Sequence, residues 1–201
     1  RQSIETIAGR CLAQYGFDAA WLPCVTAMVH NVVNTPLPVG GSSFTLSDLK
    51  KGSWLAELEF FFPLYFITAD TLRRTLQQHI GSCQAVNLEA VLAALQFRPV
   101  RGMVRGFMDM VCEHEGRYYL LDWKSNHLGS CIESYHQQAI RLEMERNLYP
   151  LQYLLYTVAL NRYLALRIRN YSYTDHFGGV FYLFVRGMDA PQPEQSGLFR
   201  D

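Results

Sequence analysis

Apolar residues recur at helical spacing through the start of the chain. Ile4, Ile7, Cys11 and Leu12 share one face, and Val25, Met28, Val29 and Val32 repeat the pattern, so residues 1–34 read as helical. Two prolines and two glycines between Thr35 and Ser43 predict a loop. Thr45-Leu46-Ser47-Asp48 opens a short helix. The period then changes to two. Trp54, Ala56, Leu58, Phe60 and Phe62 point one way, with Glu57 and Glu59 on the other side, which predicts a strand over 54–62 that Pro63 ends. Helices are predicted from Asp70, near its N-cap, to His79, and from Asn87 to Leu95, with a turn between Arg98 and Gly102. Val104 to Glu113 and Arg117 to Lys124 read as strands around the turn residues His114-Glu115-Gly116. Two helices follow, over 131–146 and 148–169. Leu151, Leu154, Leu155, Val158 and Leu164 form the apolar face of the second. Gly178-Gly179 leads into a last strand, Val180 to Val185. The tail over 187–201, polar and proline-rich from Asp189 on, is expected to fray.

Strands alternating with helices predict an α/β fold. The hairpin at 104–124 is antiparallel while its neighbours need helical crossovers, so the sheet is expected to be mixed. The expected organisation is a single domain: an N-terminal helical part (1–53), a catalytic core (54–186) and the frayed tail. The 201 residues, 49% hydrophobic and 18% charged, suffice for one sizeable core. No run of about 18 apolar residues suggests a membrane span, and no secretory signal is visible. The start at Arg1 and the end at Gly197-Leu198-Phe199-Arg200-Asp201 suggest a piece of a longer protein.

Eighteen basic residues balance eighteen acidic ones, so net charge gives no argument for a nucleic-acid partner. A binding groove needs only a local basic surface. Arg98, Arg101 and Arg105 form one cluster and Arg162, Arg167 and Arg169 another, although either alone reads more readily as solvated surface. Cys11, Cys24, Cys83, Cys112 and Cys131 are odd in number and lack a C-x-x-C spacing. They are expected to be reduced and mostly buried, in a cytoplasmic protein, and not to form a zinc ribbon or iron–sulfur cluster.

The candidate chemistry lies in the hairpin. If Glu115 and Gly116 are its loop, His114 faces Arg117 and the same register sets Asp109 opposite Asp122 on one face. Cross-strand Cβ atoms are about 4.5–5.5 Å apart. Two carboxylates that close, among apolar neighbours, repel unless a cation lies between them. Oxygen ligands of this kind suit Mg²⁺ or Mn²⁺. Lys124 projects from the same face as Asp122, two residues on, and would stabilise charge on a phosphate. A bare D-x-K is more often a plain ion pair at a strand end. The opposed second aspartate turns the reading towards a site for phosphodiester hydrolysis.

Gly106-Phe107-Met108-Asp109-Met110-Val111 and Tyr118-Tyr119-Leu120-Leu121-Asp122-Trp123-Lys124-Ser125-Asn126 resemble the nuclease motif of the RecB family, in the PD-(D/E)xK restriction-endonuclease-like superfamily. Arg101-Gly102-Met103, His114-Glu115-Gly116-Arg117, Gln152 to Tyr156 and His176-Phe177-Gly178-Gly179 extend the likeness. It is specific from about Arg101 to Arg186, looser from Glu57 to Pro99 and weak before Trp54. The resemblance implies a restriction-endonuclease-like mixed sheet flanked by helices. It implies that Asp109 and Asp122 bind the metal, that Lys124 is catalytic, and that the backbone carbonyl of Trp123 lends an oxygen to the metal. Glu57 matches a further acidic residue of the site, with Glu59, on its face, as the alternative. Gln152 and Tyr156 match the family's Q-x-x-x-Y signature, and at i and i+4 they share a helix face.

The implied cofactor is Mg²⁺, with Mn²⁺ or Ca²⁺ able to replace it in binding. The implied activity is that of an exodeoxyribonuclease, the Mg²⁺-dependent nuclease module of an ATP-dependent helicase–nuclease. That machine acts at DNA double-strand ends in recombinational repair. The module would take single strands from the helicase, work beside RecC- and RecD-type subunits and serve recombinase loading, away from any membrane. The family also carries a metal-ligating His near the start of the domain. It is expected upstream of Arg1, since the surroundings of His30 do not match, so this stretch alone is expected to hold metal weakly. The family's final helix after the last strand is also missing from the sequence. His127 and His136, after the catalytic strand, are candidates for contact with DNA phosphates. One alternative is a catalytically weak or inactive nuclease-like module that binds DNA or subunits; the presence of Asp109, Asp122 and Lys124 together argues against it. Another is a CRISPR-associated or phage exonuclease of the same superfamily, against which the missing cluster cysteines argue.

Overall fold

In a computed structural model the described residues are 3–79, 88–93, 95–188 and 197–201. Ser3 caps α1 (Ile4–Gln14), its hydroxyl accepting the Thr6 N–H at 3.1 Å. A short 3₁₀ turn capped by Asp18 leads into α2 (Leu22–Asn34), which opens with Pro23. The segment expected as a loop is instead a small hairpin, β1 (Leu37–Val39) and β2 (Ser42–Phe44). Gly40 and Gly41, both at positive φ, make its turn, and Leu37, Val39 and Phe44 bury its apolar side. Thr45 and Asp48 cap the short 3₁₀ helix at Leu46–Asp48 reciprocally, as that sequence suggested.

β3 (Trp54–Ile67) does not stop at Pro63 but runs through it. It is the edge strand of the main sheet, where a residue without an N–H is tolerated. α3 (Ala69–His79) and α4 (Leu88–Ala93) follow. The turn expected at 98–102 is the start of β4 (Val100–His114), which pairs with β3 along its length. β5 (Arg117–Lys124) has the predicted bounds. The helix expected over 131–146 is split into a 3₁₀ turn at Ile132–Tyr135 and α5 (Gln137–Arg146). Then come α6 (Tyr149–Ala165), α7 (Tyr173–His176), β6 (Phe177–Phe184) and β7 (Leu198–Arg200).

The five-stranded sheet has the order β3-β4-β5-β6-β7. β5 and β6 are parallel, joined through α5 and α6, and the other pairs are antiparallel. The sheet is therefore mixed, and with its helices it matches the restriction-endonuclease-like α/β core that was expected. The frayed tail needs correction. Residues 189–196 lie outside the described ones, but Leu198–Arg200 pair with β6, and Leu198 and Phe199 are buried. Two adjacent apolar residues after a polar stretch had somewhere to go, an open sheet edge beside Phe181 and Leu183.

Each face of the sheet has its own core. Met108, Val111, Leu120, Val180, Tyr182, Phe184 and Phe199 pack with Ile140 and Met144 of α5 and with Tyr153, Leu160 and Leu164 of α6. On the opposite face, Cys112, Tyr119, Leu121, Phe181 and Leu183 pack with Val32 of α2 and with Leu37 and Phe44 of the small hairpin. The N-terminal part thus shields the second face. Val180–Phe184, buried throughout, is the continuous apolar run of a strand covered on both sides. The cysteines also correct an expectation. Among the described residues Cys11, Cys24 and Cys131 are exposed and free, and only Cys112 is buried, where burial pushes its thiol up to about 12.

Gly178 has a packing reason. A Cβ there would lie 2.2 Å from the Tyr119 ring. Gly178→Ala is therefore expected to destabilise the chain by about 1–3 kcal/mol in urea unfolding. A loss below roughly 0.5 kcal/mol, the range of neutral surface changes, would show that the ring is not fixed there.

Candidate active site

Glu115 (φ 51°) and Gly116 (φ 78°) form the two-residue turn between β4 and β5. The pairing starts at His114↔Arg117 and runs to Met110↔Leu121 in the expected register. It stops one step short of Asp109 and Asp122. There the Asp109 carboxylate accepts the Trp123 N–H through Oδ2 at 2.9 Å, in place of a strand carbonyl. The N–H and C=O of one residue in an extended strand point to the same side. The Trp123 carbonyl therefore also faces the gap beside Asp109.

A second irregularity falls at the same place. β3 and β4 pair at Ala56↔Met110 and at Leu58↔Met108, and the residues skipped between them are Glu57 and Asp109. Glu57 sits at φ 52°, a left-handed conformation uncommon for a residue with a Cβ. Met108 packs in the helix-side core whereas Met110 packs against the opposite one, so the two-residue alternation breaks at Asp109. Glu57 and Asp109 thus hold matching positions in the register, where the pairing of both strands is interrupted. Glu59 is committed elsewhere, in a 2.6 Å ion pair with Arg105.

The Glu57 backbone carries a testable strain. Glu57→Gly is expected to raise unfolding stability by roughly 1 kcal/mol, the usual cost of a left-handed non-glycine residue. It should also weaken Mn²⁺ binding measured by calorimetry. A variant no more stable than wild type would remove the strain account.

Asp122 and Lys124 point from β5 towards the helix side. Asp122 is only 4% exposed. Lys124 Nζ lies 2.6 Å from Asp122 Oδ2, which has no other partner among the described residues. Burial pushes the Asp122 carboxyl up to about 6. Lys124 pulls against that shift, and nearby Asp109 adds to it. Lys124 also donates to Gln152 Oε1 at 3.0 Å. Its ammonium lies 4.0 Å from the centroid of the Tyr149 ring and 4.9 Å from that of Tyr182. Tyr182 donates its hydroxyl to the same Gln152 Oε1 at 2.9 Å, and Gln152 Nε2 donates to the Tyr156 hydroxyl at 2.9 Å. Gln152 and Tyr156 lie one turn apart on α6, as the spacing suggested.

Two tyrosines of this cluster escaped the sequence reading. Tyr149 stands three residues before Gln152 on the same helix face, a spacing that could have found it. Tyr182 lies in an apolar strand run and carries no such signal. A further arm fixes Tyr149: its hydroxyl donates to Asn126 Oδ1 at 3.3 Å, and Asn126 donates to Glu143 at 2.7 Å.

The candidate histidines sit apart. His30 is exposed on α2, and His136 caps α5 with Nδ1. His127 lines a cavity of about 480 Å³ with Trp21, Ser125 and Arg186, just past the ends of parallel strands β5 and β6, where α/β sheets commonly take ligands. In the arginine clusters, Arg105 is paired with Glu59, and Arg162 and Arg167 lie over Phe62 and Tyr163. Among the described residues no three His, Cys, Asp or Glu side chains converge as a ready metal cage. The donor set nonetheless fits a hard divalent cation. The Asp122 carboxylate is buried beside the Lys124 ammonium, a second carboxylate lies close by, and the available ligands are all oxygens. No helix among the described residues is long and apolar enough to cross a membrane.

No family model matches the chain. Curated proteins do. The chain is 44% identical over 184 residues, 90% of its length, to RecBCD enzyme subunit RecB of Escherichia coli (strain K12). It is 39% identical over 185 residues to RecBCD enzyme subunit RecB of Haemophilus influenzae, and 36% identical over 188 residues to that of Buchnera aphidicola subsp. Acyrthosiphon pisum. The chain spans about 15% of the length of these relatives.

Proposed function

This chain is homologous to one segment of the RecB subunit of RecBCD enzymes, and from that premise we propose that it is the Mg²⁺-dependent nuclease module of a helicase–nuclease that hydrolyses DNA phosphodiester bonds. The observation that carries this reading is the buried Asp122, paired to Lys124 and crowded by Asp109. Asp109, Asp122, the Trp123 carbonyl and Glu57 would hold Mg²⁺. When bound, Mg²⁺ supplies a water of lowered pKa and neutralises phosphate oxygens. Lys124, held in place by Asp122, Gln152 and two aromatic rings, stabilises the charge that grows on the phosphate. Gln152 and Tyr156 line the same face of α6, where the strand passes. The substrate in this reading is single-stranded DNA, delivered by the helicase at a double-strand end during recombinational repair. RecC- and RecD-type subunits and the recombinase are its partners, in the cytoplasm.

A weak or inactive docking module has one observation in its favour: Lys124 already occupies the side of Asp122 that a metal would use. The deciding experiment compares wild type and Asp109→Ala on a labelled single-stranded oligonucleotide in Mg²⁺, with the chain in its full-length polypeptide. Wild-type cleavage that disappears with EDTA and in Asp109→Ala supports the nuclease reading. Equal cutting by both proteins, or none by either, rejects it.

A further inference from the structure

Gln152 stands between three groups, and their chemistry leaves its amide no freedom. Lys124 is a donor only, so the atom 3.0 Å from its ammonium must be the amide oxygen. A flipped amide would set two donors against each other. With Oε1 fixed towards Lys124, Nε2 points to Tyr156, and because Nε2 can only donate, the Tyr156 oxygen must accept. Tyr182 lies 2.9 Å from the same Oε1, so its hydroxyl must donate. Oε1 then receives two donors, one for each lone pair.

The chain of hydrogen bonds is therefore polar from end to end. It starts at Lys124 and Tyr182, passes through Gln152 and ends at Tyr156. The Tyr156 oxygen is engaged as acceptor, and among the described residues no acceptor takes its own proton. Tyr156 is half-exposed, whereas Tyr182 is fully buried. A buried tyrosine hydroxyl needs a partner, and Gln152 is the one that Tyr182 has. Burial and the neighbouring Asp122 both favour the protonated form of Tyr182, so it remains a donor.

We infer that Tyr182 is a positioning residue: by saturating Gln152 Oε1 it locks the amide so that the Tyr156 hydroxyl proton is offered to a phosphate oxygen of the bound strand. The inference rests on the nuclease reading above. Without the Tyr182 hydroxyl, Oε1 keeps only the Lys124 ammonium and the amide can swing about that contact. Nε2 then leaves Tyr156, whose proton is no longer directed. Tyr182→Phe isolates this effect, because it removes the hydroxyl and keeps the ring under Lys124.

The test is single-turnover and steady-state cleavage of a single-stranded oligonucleotide in Mg²⁺ by the full chain. Tyr182→Phe and Tyr156→Phe are each expected to lower kcat about tenfold with KM unchanged, the size of one net hydrogen bond. The double variant is expected to be no slower than Tyr156→Phe alone, since both act through one O–H. Thermal melting checks that the variants fold. A purely structural Tyr182 would give additive losses. The second readout is the Gln152 side-chain amide in NMR spectra, assigned by its absence in Gln152→Ala, which should be sharp in wild type and broadened in Tyr182→Phe. If wild type and Tyr182→Phe cut equally fast, or the two losses add, the inference is overturned and the nuclease reading stands. If wild type does not cut at all, the nuclease reading falls, and an amide signal unchanged by Tyr182→Phe overturns the positioning role independently.

Discussion

Lys124→Ala is expected to keep Mn²⁺ binding and to lower DNA cleavage by about 10³-fold, the cost of removing one preorganised group that stabilises transition-state charge. The ammonium is held by three independent constraints: Asp122 at 2.6 Å, Gln152 at 3.0 Å and the Tyr149 ring at 4.0 Å. Such a group needs little reorganisation when charge develops in front of it. Removing it leaves the Asp122 and Asp109 carboxylates in place for a metal. It also removes the ammonium that opposes the raised Asp122 carboxyl, which moves further up in the variant, so Mn²⁺ binding by the two proteins is compared across a range of pH above about 6. Calorimetric titration with Mn²⁺ and cleavage of a single-stranded oligonucleotide, run on the same preparation, separate binding from chemistry. Cleavage within tenfold of wild type would make Lys124 a structural counter-ion. Loss of Mn²⁺ binding would mean that it organises the carboxylates instead.

Much of this geometry could be read from the sequence because it depends on local periodicity. The two-residue turn at Glu115-Gly116 fixes which residues of β4 and β5 oppose each other, and a slip by one would send every side chain of the hairpin to the opposite face and the wrong core. The pairing from His114↔Arg117 to Met110↔Leu121 followed from that turn, but the ladder stops before Asp109 and Asp122, so it does not itself set the two aspartates opposite each other. What the period could not convey was its own interruption. The pairing of both strands is interrupted at Glu57 and Asp109, and a strict alternation assigned Glu57 and Glu59 to one face as equals. The interruption sets them apart, with Glu57 at the register position of Asp109 and Glu59 paired with Arg105.

The misread elements have a common cause in tertiary context. Pro63 ends a strand only where its missing N–H would be used, and β3 is an edge. The tail looked disordered by composition, yet Leu198 and Phe199 pair with β6 across a gap in sequence that no local pattern bridges. Tyr182 was invisible for the same reason. Its sequence neighbours are core residues, and its polar role exists only because α6 brings Gln152 over β6.

Asp122→Asn is expected to stabilise the metal-free chain at pH 8 while abolishing metal binding and cleavage. Burial pushes the folded carboxyl up to about 6, above its unfolded value of roughly 3.9, so the folded state holds the proton more tightly. Its contribution is fully favourable below the unfolded value and is lost as pH rises through about 6. That difference bounds the effect at roughly 3 kcal/mol. Wild type minus Asp122→Asn, compared by urea unfolding at pH 4.5, 6 and 8, isolates this group from carboxylates that shift the other way, such as Asp48, lowered by its bonds to Thr45. The difference should grow in favour of the variant as pH rises from 4.5 to 8. Adding Mn²⁺ at pH 8 should reverse it, because the cation stabilises only the wild type, by mass action on the folded state. A difference that stays flat with pH would show that Asp122 is not held in an unfavourable charged state. The tension between fold and charge at this position would then be absent, and with it the physical reason for expecting a cation there. If the difference reverses as described, the fold carries a strained carboxylate that only a bound metal relieves, which is how a chain keeps a buried aspartate that a neutral residue would improve.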